Sequence, residues 1–287
     1  MDDVGAFERR LTRTAELRTG TAASPELEEI FRRIALRRTS RSGGPGPAAA
    51  DAAATAPRLQ PTGRVASVEE VAPDVRIVRV GRPADLQFRA GQYVKVGVAG
   101  RRSGSYSIAS APHEPDLEFC IELIPGGRLS PALFALREGD DVIVTGPAKG
   151  RFVFDETARC HLMVATVTGI APLRSIVRDV LHRGIDAQFI VLHGASHADE
   201  LPYFAELMAV ATSDARVEYR PTVSRPEAAR NAGWPHEVGR VDDLACHVAA
   251  GLDPRRTHVY ACGHPEMVKR VAAELGSAFS VSTEVFD

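Results

Sequence analysis

An aromatic ring, a hydroxyl and two arginines stand together in Arg101-Arg102-Ser103-Gly104-Ser105-Tyr106-Ser107-Ile108-Ala109-Ser110. The end of the run alternates, so Tyr106 and Ile108 face one way and Ser107 and Ala109 the other. This set suits a ligand with a flat conjugated ring, polar edges and a phosphate tail. The tyrosine stacks, the serine bonds an edge, and an arginine takes a phosphate bidentately. The same run also reads as an ordinary edge strand after a turn, and alone it does not choose between the two. Two further stretches bear on the choice. Pro125-Gly126-Gly127-Arg128-Leu129-Ser130 lets backbone N–H groups come close to a phosphate and puts Ser130 at a helix start. Thr166-Val167-Thr168-Gly169-Ile170-Ala171-Pro172 follows a strand and precedes a helix, and offers an anion site for a second nucleotide. Read singly, each is equally a plain turn, with Ser130 as a cap and Pro172 at the first helical position.

The elements that must position these residues fall into three stretches, 1–60, 61–156 and 157–287. In the first, a helix over Gly5–Leu17 is expected, then a second that Ser24 caps, with Pro25 next and Leu27, Ile30, Phe31, Ile34 and Ala35 on one face. A Gly/Pro/Ala linker, residues 41–57, follows it. The helical leader reads as an appendage that docks on the body or on a partner. Its basic end reads as a solvated face, and Arg37-Arg38-Thr39-Ser40 has the form of a basic-directed kinase site.

Residues 61–156 read as short strands with Gly/Pro turns: Gly63–Val71, Asp74–Val80, Gly91–Gly97, Tyr106–Ser110, Leu117–Ile124 and Asp141–Thr145. With one short helix, Leu129–Leu136, they predict a small antiparallel barrel. From residue 157 strands and helices alternate: His161–Thr166, Leu173–His182, Gln188–Gly194, Tyr203–Ala211, Val217–Val223, Val241–Ala250, His258–Ala261, Pro265–Leu275 and Ser280–Phe286. That rhythm predicts a parallel sheet with helices on both faces and a nucleotide site at the C-terminal ends of the strands.

Composition narrows the classes. The 287 residues are 44% hydrophobic and 25% charged, with a net charge of −2, which fits a globular protein and argues against a nucleic-acid partner. No apolar run approaches the ~20 residues that span a bilayer. The acidic start Met1-Asp2-Asp3 has no apolar core behind it, so neither a secretory signal nor membrane insertion is expected, and the cytoplasm is the default. Cys120, Cys160, Cys246 and Cys262 are too scattered for an iron–sulfur run, a zinc ribbon or a CxxC pair; they read as reduced, mostly buried thiols, with no metal.

Taken in order, Tyr-Ser-Ile-Ala-Ser, Gly-Gly-x-x-Ser, Thr-Gly-Ile-Ala-Pro, Tyr-x-Cys-Gly-x-Pro-x-Met and a final Glu-x-Phe resemble the ferredoxin–NADP reductase superfamily over residues 62–287. The resemblance implies an FAD-binding barrel followed by an NAD(P)-binding α/β domain. Tyr106 would then pack on the flavin and Ser107 would hydrogen-bond near its reactive nitrogen. Gly127 and Ser130 would hold the pyrophosphate, with Arg102 or Arg101 supplying charge. Ile121, Leu123 and Leu129 belong to the same cofactor set. Thr168, Gly169 and Pro172 would line the nicotinamide nucleotide site, and Cys262 and Gly263 would sit beside the nicotinamide ring. Glu284 and Phe286 would stand near the flavin, and Ser224 and Arg225 would take the 2′-phosphate of NADPH, with NADH as the lesser possibility.

Two positions depart from the family pattern. Gly104 stands where the family has an arginine, and Val167 where it has a glycine. A β-branched residue resists positive φ, so the turn is expected to be extended at Val167. The function implied is an FAD-dependent NAD(P)H reductase that passes electrons to a separate redox protein: a ferredoxin, a flavodoxin, or an oxygenase or haem partner. A flavin reductase or diaphorase, and a non-catalytic electron-transfer subunit keeping the fold, are the alternatives.

Overall fold

The computed structural model describes residues 63–286. The leader helices, the linker and the Arg37–Ser40 stretch expected in the first 60 residues lie outside them. The first half is built from β1 (Gly63–Ala72), β2 (Val75–Gly81), β3 (Tyr93–Gly97), β4 (Gly104–Ser107), β5 (Asp116–Glu122), a short helix α1 (Ser130–Phe134) and β6 (Asp141–Lys149). They form a six-stranded antiparallel sheet in the order β4-β3-β6-β1-β2-β5. Alternate valines, Val65, Val78, Val80, Val94, Val96, Val142 and Val144, are each at most 4% exposed. Their period of two turns one face of every strand inward. Beyond β4 the chain reaches the far edge strand: the Ala109 N–H donates to the Glu118 carbonyl of β5 at 2.8 Å. That bond curls the sheet towards a closed barrel and fixes the direction in which Tyr106 and Ser107 leave it.

The second half alternates as β7 (Cys160–Thr166), α2 (Ile170–His182), β8 (Gln188–Ala195), α3 (Phe204–Ser213), β9 (Val217–Val223), β10 (Glu237–Val238), α4 (Val241–Ala249), β11 (Thr257–Gly263), α5 (Pro265–Leu275) and β12 (Ser280–Val285). All pair in parallel, in the order β10-β9-β8-β7-β11-β12. The two-residue strand β10 is the element that the sequence pattern does not reveal. Helices cover both faces, so the central strands carry unbroken apolar runs. Met163, Ile170, Leu173, Ile176 and Phe189 fill the core on the α2–α3 side. Leu162, Val164, Val241, Val268 and Val271 fill the core under α4 and α5. After β7 the chain builds outward through β8 to β10 and then returns to β7's other side with β11. The crevice outside the C-terminal ends of β7 and β11 is therefore the switch point where α/β sheets bind ligands.

Helix α2 joins the two halves. Arg174, 4% exposed, donates to the Ala109 carbonyl at 2.8 Å, pairs with Glu118 of β5 at 3.1 Å and grips Glu206 of α3 at 2.7 Å. Ser175 Oγ donates to the Ser110 carbonyl at 2.6 Å. These bonds hold the segment following Tyr106-Ser107 against the helix that follows Thr168-Gly169. The two stretches that are far apart in the chain are thus set in one frame.

Burial also sets an acid limit. His161 lies among the rings of Phe154, Phe189 and Tyr260, and burial pushes its pKa from the ordinary 6.5 down to about 4. His193, also fully buried, is lowered to about 4 by the same cause. Both are neutral when folded, whereas the unfolded chain protonates them near 6.5. Stability is therefore whole above pH 6.5 and falls as the pH drops towards 4, by on the order of 3 kcal/mol for each histidine. Urea midpoints at pH 7 and pH 4.5 check this; equal midpoints would contradict it.

Candidate functional site

Between barrel and α/β half runs a cleft of about 1220 Å³. This exceeds the roughly 300–1,000 Å³ of a single small-ligand pocket and has room for two extended ligands. Tyr106, Ser107, Gly127, Leu129 and Ser130 line it from the barrel, and Thr168, Ser224, Gly263, Glu284 and Phe286 from the other half. Ten sequence-selected positions thus share one cavity wall. Tyr106 is half-buried, its phenol pushed up to about 12 by desolvation, and its hydroxyl has no hydrogen-bond partner among the described residues.

Besides the Arg174 and Ser175 contacts of α2, the two halves meet at a polar pair on the cleft itself. Ser107 Oγ, on β4, donates a hydrogen bond to Glu284 Oε1, on β12. Burial raises the pKa of Glu284 above the ordinary carboxylate value, and the Ser107 bond partly offsets that rise. The register explains the meeting. Glu284 pairs with Cys262 of β11, and Cys262 with Ala165 of β7, so all three stand at the C-terminal end of the sheet. Behind Glu284 the Phe286 N–H donates to the Gly263 carbonyl at 3.1 Å, which keeps the last aromatic on the cleft.

Cys262 itself requires a correction. Its side chain is 0% exposed and packs in the core with Ile170 and Ala165, and burial pushes its thiol well above the ordinary value. Cys262 is a small core hydrophobe, and Gly263 beside it carries the cleft surface. Ile121 and Leu123 likewise belong to the barrel core and do not line the cleft. Gly169 and Pro172 are buried behind the wall. A side chain at Gly169 would overlap the Cys262 carbonyl, and one at Gly263, φ +124°, would overlap Thr166. The two glycines let the turn after β7 and the end of β11 come into contact.

The turn at Val167 also departs from expectation. Val167 has φ +42° rather than an extended backbone. For a β-branched residue this conformation costs on the order of 1–3 kcal/mol. It persists because the Val167 carbonyl is held at 2.9 Å by His193 Nε2, from the adjacent strand β8.

The arginines rearrange most. Arg102 and Arg225, both chosen from sequence, do not line the cleft. Arg101 is used in structure, donating to the Arg128 carbonyl at 3.1 Å. At Gly104 a Cβ would lie 2.9 Å from Leu129 Cδ2, so a side chain there would require the end of Leu129 to shift. Two arginines that sequence reasoning missed do line the cleft. Arg128, carried by the Gly126-Gly127 turn, faces the barrel side, and its guanidinium has no partner among the described residues. Arg240, at the start of α4, faces the Ser224 side and is steered by Asp242 at 3.1 Å. Ser130 Oγ is engaged within its own turn, accepting from the Ile124 N–H at 3.1 Å, so it shapes the turn that presents Arg128.

Comparison with known proteins agrees with this division. The family model for an oxidoreductase FAD-binding domain matches residues 62–154, and that for an oxidoreductase NAD-binding domain matches residues 163–273. A flavodoxin/ferredoxin–NADP reductase of Escherichia coli (strain K12) is 32% identical over 222 residues, which cover 72% of this chain and 86% of that protein. The ferredoxin–NAD(P)+ reductase component of a Pseudomonas putida naphthalene 1,2-dioxygenase system is 29% identical over 221 residues, 77% of this chain and 66% of that one. A solved ferredoxin NADP+ reductase from Neisseria gonorrhoeae, with bound FAD and NADP, has the same fold. Its TM-score is 0.69 at 23% identity, over 78% of this chain and 97% of that one.

Proposed function

The chain belongs to the ferredoxin–NADP reductase superfamily of FAD-dependent NAD(P)H reductases, and on that premise we propose that it prefers NADPH to NADH and serves a ferredoxin or flavodoxin. Electrons pass from NAD(P)H through FAD to a separate redox protein. Support for a ferredoxin or flavodoxin comes from the relative of that name, matched over 86% of its length, against 66% for the dioxygenase-system component. The observation that carries the assignment of the redox site to this cleft is the Ser107–Glu284 bond, a hydroxyl and a raised carboxyl meeting across it.

The residues fit FAD in this cleft. We assign the flavin to the barrel, residues 61–156, and the nicotinamide nucleotide to 157–287. Tyr106 offers a ring for stacking and a free hydroxyl, and Ser107, its proton given to Glu284, offers an oxygen that can accept from a ring-edge N–H. Arg128 offers an unpaired guanidinium for a pyrophosphate dianion, a role that the buried turn serine and the crowded Gly104 do not fill. Bound FAD supplies the redox chemistry, taking a hydride from the nicotinamide and yielding electrons one at a time. The chain's part is to orient and to hold protons. Ser107 donates its one proton to Glu284, which fixes the hydroxyl and leaves its oxygen as an acceptor. Glu284, raised by burial, keeps its own proton to a higher pH than an exposed carboxyl. Thr168 and Gly263 form the opposite wall, and Phe286 closes the site on the C-terminal side.

Two measurements test these assignments. Arg128→Ala is expected to raise the dissociation constant of FAD about ten-fold, read by titrating apoprotein; an unchanged constant would remove Arg128 from the pyrophosphate site. NADPH preference is assigned to Ser224 with Arg240, an arginine fork suited to a 2′-phosphate. Arg240→Ala is expected to raise KM for NADPH about ten-fold and KM for NADH less than about two-fold. Equal effects on both nucleotides would sink that assignment.

A further inference from the structure

The strained turn has a dedicated holder. His193 is fully buried on β8 and does not line the cleft. Its Nε2 lies 2.9 Å from the Val167 carbonyl oxygen, and its Nδ1 lies 3.1 Å from Tyr219 Oη on β9. A carbonyl only accepts, so Nε2 carries the proton, and Nδ1 is left to accept from the tyrosine O–H. Both ring nitrogens are therefore committed, and the imidazole has one tautomer and one orientation. Tyr219 is in turn fixed by the edge of Phe204, 6.2 Å between ring centres. The chain Phe204–Tyr219–His193 crosses two strands and ends on one peptide group. That peptide belongs to Val167, at φ +42°, a conformation that a valine leaves when nothing holds it. The next residue, Thr168, is on the cleft wall, as is Val167 itself.

We propose that His193 is a positioning residue for the nicotinamide dinucleotide: by holding the Val167 carbonyl it keeps the turn left-handed, and so presents Thr168 and the Val167 side chain to the ligand. The proposal rests on the reading that NADPH enters this cleft. Without the hydrogen bond the Val167 peptide rotates back towards an allowed region, and Thr168 leaves its place on the wall. A glycine at 167 would adopt the same φ unaided and would need no holder. His193 and Val167 are therefore energetically coupled, which an ordinary core histidine would not be.

A double-mutant cycle tests this, read as the dissociation constant of NADP+ from the flavin difference spectrum, with FAD content measured alongside. His193→Leu is expected to weaken NADP+ on the order of ten-fold and leave FAD content unchanged. His193→Gln, whose amide nitrogen donates from nearly the same point, should stay within about three-fold. In a Val167→Gly background the same His193→Leu change should cost less than about two-fold. Tyr219→Phe keeps the ring packing, removes only the backing bond and is expected to fall between, so it carries the comparison if the leucine variant does not fold. An equal penalty in both backgrounds, or equal behaviour of leucine and glutamine, would overturn the proposal. Failure of NADPH to reduce the wild-type flavin would instead refute the functional reading, and the two failures are seen in separate measurements.

Discussion

Replacing Ser107 by alanine is expected to slow reduction of the bound flavin by NADPH on the order of 100-fold, while FAD stays bound. Ser107 is 6% exposed, lies on the cleft wall and directs its proton to Glu284. The variant loses the oriented hydroxyl and little packing, so the effect belongs in the rate and not in cofactor content. A second signature follows from the sign of the coupling. Burial raises the Glu284 pKa and the Ser107 bond lowers it, so removing the bond raises it further. The limb of the rate profile that Glu284 sets should therefore move to higher pH in Ser107→Ala. A fully flavinated variant reduced at the wild-type rate would remove Ser107 from the reaction.

The second large effect is on the frame. Arg174→Met should destabilise the protein by about 2–3 kcal/mol, because it takes a buried cation from Glu118 and Glu206 and leaves a buried carbonyl without its donor. Glu118 is only 3% exposed at its side chain and would keep Arg79, at 2.6 Å, as its remaining partner. Glu206 would keep Arg178 at 2.9 Å, while the Ala109 carbonyl would lose its donor. Of the Arg174 and Ser175 bonds that tie the segment after Ser107 to α2, the same change leaves only that of Ser175, so the remaining folded protein should also show slower flavin reduction. Urea unfolding gives the first quantity. A loss below about 1 kcal/mol would mean that the network is solvated and does not set the domain geometry.

Much of the architecture was legible in the chain because it rests on periodicity. Alternating valines announce the barrel strands, and unbroken runs such as His161–Thr166 announce strands covered on both faces. The cleft residues converge because Thr168 and Glu284 stand where the α/β sheet opens to ligands, and Tyr106 and Ser107 at the end of the barrel strand that faces it. The side chains that reasoning misplaced are those whose direction depends on packing. Cys262 sits on β11 with the right neighbours, yet its side chain faces the core while Gly263 faces the cleft. Arg102 and Arg225 sit in loops whose course no period encodes, whereas Arg128 stands inside the Gly-Gly-x-x-Ser stretch, at a position the motif leaves open. His193 had a signal as well: a lone polar residue in Phe189-Ile190-Val191-Leu192-His193-Gly194 marks a buried group with a partner. Its partner, a strained carbonyl, exists only in three dimensions.

The claim on which the rest depends is that this cleft transfers a hydride from NADPH to bound FAD. Anaerobic stopped-flow mixing of the yellow protein with NADPH, and separately with NADH, tests it most directly. The account predicts rapid bleaching near about 450 nm, saturating at a lower concentration of NADPH than of NADH. A bound flavin that stays oxidised with both nucleotides would contradict it.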